Sequence, residues 1–189
     1  MNSLLNYSTP FYALWLIFVC YFFVSAWGNK ATAFRVKRTW RLVYLLGIIA
    51  LIWFLSLDSG FLNLRLLEWT PATGPVALAL CAAGIFFAIW ARRTLATNWS
   101  LDPTIKESHE LVQKGPYRLV RHPIYTGILL ALFGTELAGG RMKNAIVFLF
   151  ALATFLYKMR VEESLMMRQF PQAYPAYKGR TKALVPFVI

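Results

Sequence analysis

The chain has 189 residues, 58% hydrophobic, 16% aromatic and only 15% charged, against about a quarter charged in an ordinary soluble domain, which excludes a soluble globule and leaves room for one domain. Its two cysteines, Cys20 and Cys81, lie in apolar runs and supply neither a disulfide framework nor a cysteine-rich metal site. A net charge of +12 suits either nucleic acid or the orientation of a membrane protein, and the positions of the basic residues decide between them.

Residues 11–27, 42–57 and 69–91 contain no charge and are predicted to be three transmembrane helices, because about 17 to 25 apolar residues cross a bilayer as helix. Residues 123–135 and 144–157 form shorter uncharged runs. At about 1.5 Å per residue the longer of these reaches roughly 21 Å, short of a hydrocarbon core of about 30 Å. They are expected to make a helical hairpin short for lipid, either buried partly in protein or with Arg141 and Lys143 snorkelling at its tip. The absence of repeats, linkers and alternating strand patterns completes the expectation: an all-α integral membrane protein, one membrane-embedded domain over 1–189, with about five transmembrane helices.

The first apolar run is not read as a signal peptide. Residues 1–10 hold no Lys or Arg, whereas Lys30, Arg35, Lys37, Arg38 and Arg41 follow it. The positive-inside rule then predicts a multi-pass protein with its N-terminus outside and its C-terminus in the cytoplasm. Of 20 basic residues, 17 fall in the segments 28–41, 92–122 and 158–182 predicted to be inside. Orientation accounts for the basicity, and no nucleic-acid partner is expected. Asn98-Trp99-Ser100 has the form of a glycosylation sequon but lies on the predicted cytoplasmic side.

Polar residues concentrate in residues 92–125 and 158–182, which the hairpin brings together at the cytoplasmic face. In the first stretch, Pro123 suits the first turn of a helix and biases His122 away from helical geometry. The helix start is then either an anion seat or a plain cap with positive flanks. In the second, no breaker interrupts residues 144–170, so one helix carries Glu162 and Glu163 past the membrane. That pair either forms ion pairs with Lys158, Arg160 or Arg168 or binds a cation or ribose hydroxyls. Glu136 sits near the hairpin tip, where an interfacial pairing role is expected in preference to a proton relay. His109 and His122 are the two histidines, too few for a His-rich metal site; no metal is expected, and no HExxH, Walker A, GxGxxG or GxSxG motif occurs.

The run Gly115-Pro-Tyr-Arg-x-x-Arg-His-Pro-x-Tyr-x-Gly127, followed by Arg160-Val161-Glu162-Glu163 and then by Phe170, Tyr174, Tyr177, Arg180 and Pro186, resembles the isoprenylcysteine carboxyl methyltransferase family. It is similar, more distantly, to phospholipid N-methyltransferases. The likeness covers about residues 98–189; eukaryotic members have a longer acidic run and additional helices, so this chain resembles a minimal core. The resemblance implies a membrane-embedded methyltransferase using S-adenosylmethionine, releasing S-adenosylhomocysteine, and built as three N-terminal helices (1–91) and a methyltransferase core (92–189).

The resemblance also places cofactor binding at His109, Leu111, Val112, Tyr117, His122, Pro123, Ile124, Tyr125, Glu162 and Glu163. It assigns catalytic roles to Arg160, Glu163 and His122, and orientation of the acceptor to Arg160, Tyr174, Tyr177 and Arg180. The implied acceptor is the carboxylate of an isoprenylated cysteine or a similar lipid, presented from the bilayer. A phospholipid amine, which needs a base such as His122 or Glu163, and a nonenzymatic scaffold or transporter are the alternatives.

Overall fold

The computed structural model describes residues 3–35, 59–68, 70–186 and a few positions between 47 and 57; the helix predicted over 42–57 lies largely outside the described residues. In chain order the elements are α1 (Ser3–Ser25), β1 (Thr32–Arg35), α2 (Thr73–Leu95), β2 (Thr104–Lys106), α3 (Pro123–Gly139), α4 (Met142–Gln169) and α5 (Ala173–Arg180). Short 3-10 turns at Ala96–Asn98 and Gly115–Arg118 lead into the loops that carry the site.

Each helix limit has a local cause. Pro123 opens α3 at its first turn, as expected, and Gly140 closes it in the left-handed conformation at φ 60, its N–H reaching the Glu136 carbonyl. Helix α4 runs unbroken for 28 residues until Phe170-Pro171. It is therefore about 42 Å long, while α3, at 17 residues, is about 25 Å. The hairpin is unequal: α3 is short for a bilayer, and α4 is long enough to cross and continue beyond it. Three described helical segments have the length and composition of a membrane span, Ser8–Ser25, Thr73–Asn98 and Met142–Gln169. Leu16, Phe23, Phe86, Leu149 and Phe150 on these helices are exposed apolar groups, suited to lipid. The chain is a membrane protein.

The centre of the bundle is the α2–α3 contact, where small residues let two backbones touch. A Cβ on Gly84 would lie 2.4 Å from the Ala131 nitrogen, one on Gly127 2.6 Å from the Ala88 nitrogen, and one on Gly134 2.6 Å from the Ala77 carbonyl oxygen. Phe11, Ala77, Cys81, Ile85 and Ala131 form the buried cluster that joins α1 to this pair. Without a strong hydrophobic drive between helices in lipid, such close approach is the main source of packing energy.

The all-helical expectation is corrected in one respect. Strands β1 and β2 pair antiparallel, Thr32 opposite Lys106 and Arg35 opposite Thr104, with a bulge between Thr32 and Phe34. Strands of three and four residues are too short to leave a period-two pattern in sequence. At the other end of the molecule, the loop before α2 meets the hairpin tip. Leu66 N–H donates to Gly140 O at 2.8 Å, Met142 N–H to Leu64 O at 2.9 Å, and Arg141 Nη1 to Asn63 Oδ1 at 3.4 Å. Glu136 does not show the expected pairing at Oε2, which is buried with no hydrogen-bond partner among the described residues.

Candidate functional site

A cavity opens at the end of the bundle where residues 95–125, the upper part of α4 and α5 converge. Its lining contains His109, Leu111, Val112, Tyr117, His122, Ile124, Tyr125, Glu162, Tyr174 and Tyr177 from the sequence reading, together with Asn98, Trp99, Asp102, Thr104, Arg121, Leu165 and Met166, which that reading left aside. Pro123 is fully buried behind it. Arg160 is exposed on α4 and Arg180 is exposed on α5, where its Nη2 donates to Gln113 Oε1 at 3.0 Å; neither lines the cavity.

The floor is an aromatic stack. Tyr125, in the first turn of α3, lies parallel to His122 (centroids 5.6 Å, planes 8° apart) and to Phe155 (4.7 Å, 11°). Its hydroxyl donates to Glu162 Oε1 at 2.6 Å. Lys158, one helical turn before Glu162, is buried; it donates to Leu101 O at 2.7 Å and places its ammonium 5.4 Å from the Tyr125 ring centroid. The aromatic surface, a carboxylate and a cation are thus fixed relative to one another by α3 and α4.

The two neighbouring carboxylates have separate surroundings. Glu162 lines the cavity, with its Oε2 3.6 Å from His122 Nδ1. Glu163 does not line it; its Oε1 accepts from Arg121 Nε at 2.7 Å and lies 3.4 Å from His122 Nε2, while its Oε2 accepts from Lys178 Nζ at 2.6 Å. Burial alone would lower the His122 pKa, but the hydrogen bonds and charges of Glu162 and Glu163 outweigh it and raise it. For His109 burial dominates, reinforced by Lys30 and Lys106, and its pKa falls. His109 is therefore neutral at pH 7; because Nδ1 accepts the Lys106 N–H at 3.2 Å, the proton sits on Nε2.

The roof comes from the C-terminal segment. Val120 and Lys182 form a parallel bridge; Arg121 N–H donates to Lys182 O at 2.8 Å, His122 N–H to Ala183 O at 3.0 Å and Thr126 Oγ1 to Leu184 O at 2.7 Å. The start of α3 thus spends the His122 N–H on the chain's own carbonyl. Arg121 Nη1 also donates to Thr181 O. Tyr177 donates its hydroxyl to Tyr117 O at 2.7 Å. Burial raises the pKa of Tyr117 and Tyr174 and pushes Tyr177 up to about 12, so all three are neutral at pH 7.

The wall formed by residues 98–104 was the part missed from sequence. Asn98 and Thr104 are buried, and Thr104 Oγ1 has no hydrogen-bond partner among the described residues. Trp99 packs edge-on to Phe22 of α1 and lies under the Arg92 guanidinium, 4.7 Å from the ring centroid. The available signal was a Trp flanked by Asn98 and Ser100, with Asp102 three positions on, just past a predicted span, a place where a purely interfacial residue is equally common.

The profile of the family described as phospholipid methyltransferase matches residues 73–173. The chain is 36% identical over 134 residues to the protein-S-isoprenylcysteine O-methyltransferase of Saccharomyces cerevisiae, covering 68% of this chain and 56% of that protein. It is 31% identical over 84 residues to a probable protein-S-isoprenylcysteine O-methyltransferase of Oryza sativa subsp. indica, covering 44% of each. It is 33% identical over 84 residues to protein-S-isoprenylcysteine O-methyltransferase B of Arabidopsis thaliana, covering 44% of this chain and 43% of that protein. The chain spans about half the length of these curated relatives. With the profile covering more than half of its 189 residues, the chain belongs to the phospholipid methyltransferase family, and these curated relatives are similar to it over about half their length.

Proposed function

We propose that this protein transfers a methyl group from S-adenosylmethionine to the carboxylate of an isoprenylated cysteine, or a similar lipid-like carboxylate, at the membrane surface. The observation that carries the proposal is the convergence of the 117–125 run, Glu162, Tyr174 and Tyr177 on one cavity in a chain of this family. Residues 92–189 are the proposed methyltransferase core, and the N-terminus is proposed to lie outside, with the core facing the cytoplasm.

The residues present fit the donor. S-adenosylmethionine supplies an adenine, ribose hydroxyls, an amino acid group and a methyl on cationic sulfur. Trp99, Tyr117 and Tyr125 offer aromatic faces, Glu162 an acceptor for a cation or hydroxyl, His109 an Nε2–H donor, and Thr104 a buried hydroxyl without a hydrogen-bond partner among the described residues. His122 and Glu163 hold Glu162 and the roof in place, a positioning role. Tyr174 and Tyr177, held neutral, exclude water from the cavity. An acceptor carboxylate is already ionised at pH 7, so alignment rather than a strong base is what the site must supply. Exposed Arg160 and Arg180 are proposed to guide that carboxylate while its lipid chain stays in the bilayer.

The test is a methyl-transfer assay in detergent with labelled S-adenosylmethionine and three acceptors: a prenylated cysteine with a free carboxylate, its methyl ester, and a phosphatidylethanolamine. Label on the free acid and not on the ester is expected. Transfer to the amine lipid instead would replace the acceptor with the lipid amine alternative, and no binding of S-adenosylhomocysteine would turn the chain into a nonenzymatic membrane protein.

A further inference from the structure

The connection after α1 grips the cavity wall from outside the stretch 73–173 that the family profile matches. Lys30 Nζ donates to Asn98 Oδ1 at 3.2 Å and to Ser108 O at 2.8 Å, and pairs with Glu110 Oε1 at 3.1 Å. An ammonium has three N–H donors, and here each has an acceptor. The Lys30 N–H donates to Thr97 O at 2.9 Å, and Glu107 N–H to Ala31 O at 3.0 Å. Asn98 and Glu110 both line the cavity, and Asn98 Oδ1 also accepts the Glu110 N–H at 3.4 Å.

The backbone on either side of this wall is unusual. Ala96 (φ 50) and Ser108 (φ 48) are the non-glycine residues with positive φ among the described residues, a conformation that persists where the surroundings over-determine it. A cation holds the carbonyl of each: Arg92 Nη1 donates to Ala96 O at 2.5 Å, and Lys30 Nζ to Ser108 O. Arg92 also reaches back to the turn after α1 through Asn29 Oδ1 at 2.9 Å.

We propose that Lys30 is a positioning residue for the cofactor cavity: its ammonium ties Asn98, Ser108 and Glu110 together, so that the wall keeps its binding shape only when the connection after α1 is docked. The inference rests on the cofactor reading of this cavity. It makes the N-terminal helix part of the methyltransferase unit rather than a separable anchor.

The experiment measures S-adenosylhomocysteine affinity by calorimetry in detergent, with hydrogen exchange of amides 97–110, for the full chain and its Lys30→Met and Lys30→Arg variants. Lys30→Met is expected to weaken binding by about tenfold or more and to speed exchange across 97–110, with the helices still folded. Lys30→Arg, which restores the donors, is expected to recover most of the affinity. Wild-type affinity in Lys30→Met, or no recovery in Lys30→Arg, overturns the proposal. Should Lys30→Met not fold, Lys30→Gln makes the same comparison. Should the wild-type chain not bind S-adenosylhomocysteine, the cofactor reading fails, and exchange alone decides the clasp: unchanged protection of 97–110 on removing the ammonium overturns it.

Discussion

Glu162 and Glu163 are adjacent in the chain and divided in role by one step of helix rotation. Glu162 lines the cavity with Tyr125 and His122 at its oxygens, whereas Glu163 is bound by Arg121 and Lys178. Glu162→Gln is therefore expected to lower S-adenosylhomocysteine affinity by about tenfold, about 1.4 kcal/mol, with a smaller loss of stability than Glu163→Gln because the amide oxygen still accepts the Tyr125 hydroxyl. Glu163→Gln should chiefly destabilise, by about 1–3 kcal/mol for a lost charged hydrogen-bond set. Calorimetry and melting on both single variants check this; equal affinity losses without a stability difference would mean that both carboxylates face the ligand. His122 supplies a second prediction. Its pKa is raised above the unfolded value of about 6.5, so the stability it contributes is full below about pH 6.5 and is lost as pH rises through the folded value. The melting temperature should fall over that rise, and His122→Asn should flatten the fall. Parallel pH profiles of the two proteins would contradict a protonated ring between the carboxylates.

At the scale of elements, the α2–α3 contact and the C-terminal segment carry the architecture. Gly127 has no room for a methyl group, since its Cβ would sit 2.6 Å from the Ala88 nitrogen and from the Gly84 oxygen, both main-chain atoms that cannot rotate away. Gly127→Ala is expected to cost at least about 1–3 kcal/mol through overpacking, while Gly179→Ala, where a Cβ would meet nothing within 4 Å, should be silent. Melting temperatures of the two purified variants decide it; a wild-type melt for Gly127→Ala would show that the helices separate at no cost. Gly84-x-x-x-Ala88 and Gly127-x-x-x-Ala131 spacings were visible in sequence, yet such stripes mark helix contacts without saying which two helices meet. The start of α3 and the uninterrupted length of α4 were legible, because Pro123 and Pro171 act locally; the end of α3 at Gly139 lies four residues past the uncharged run. The β1–β2 pairing was not, because it joins residues some 70 positions apart.

At the scale of the molecule, contacts sort the connections into two ends. Residues 30–35, 96–122 and 177–184 meet around the cavity, and residues 61–67 meet 140–143 at the opposite end. This division agrees with the grouping of basic residues into three segments on one side. The orientation predicted from those charges is tested by cysteine labelling in intact cells. A cysteine at position 35 or at exposed Lys114 is expected to be shielded from an impermeant reagent, and one at position 61 to react; reversed labelling would overturn the orientation while leaving the two ends intact.

Hydropathy, charge position and proline placement are local properties of the chain, and by themselves they determined the membrane class, the start of α3, the unbroken run of α4, the predicted orientation and the two stretches from which a site had to be built. Only the tertiary structure decided which side chains share the cavity. It set Glu162 apart from Glu163, left Arg160 and Arg180 on the surface, and added Asn98, Trp99 and Thr104. The physical reason is that helix rotation and loop docking depend on contacts between distant residues, such as Tyr177 with Tyr117 and Lys30 with Asn98, whose partners no local pattern specifies.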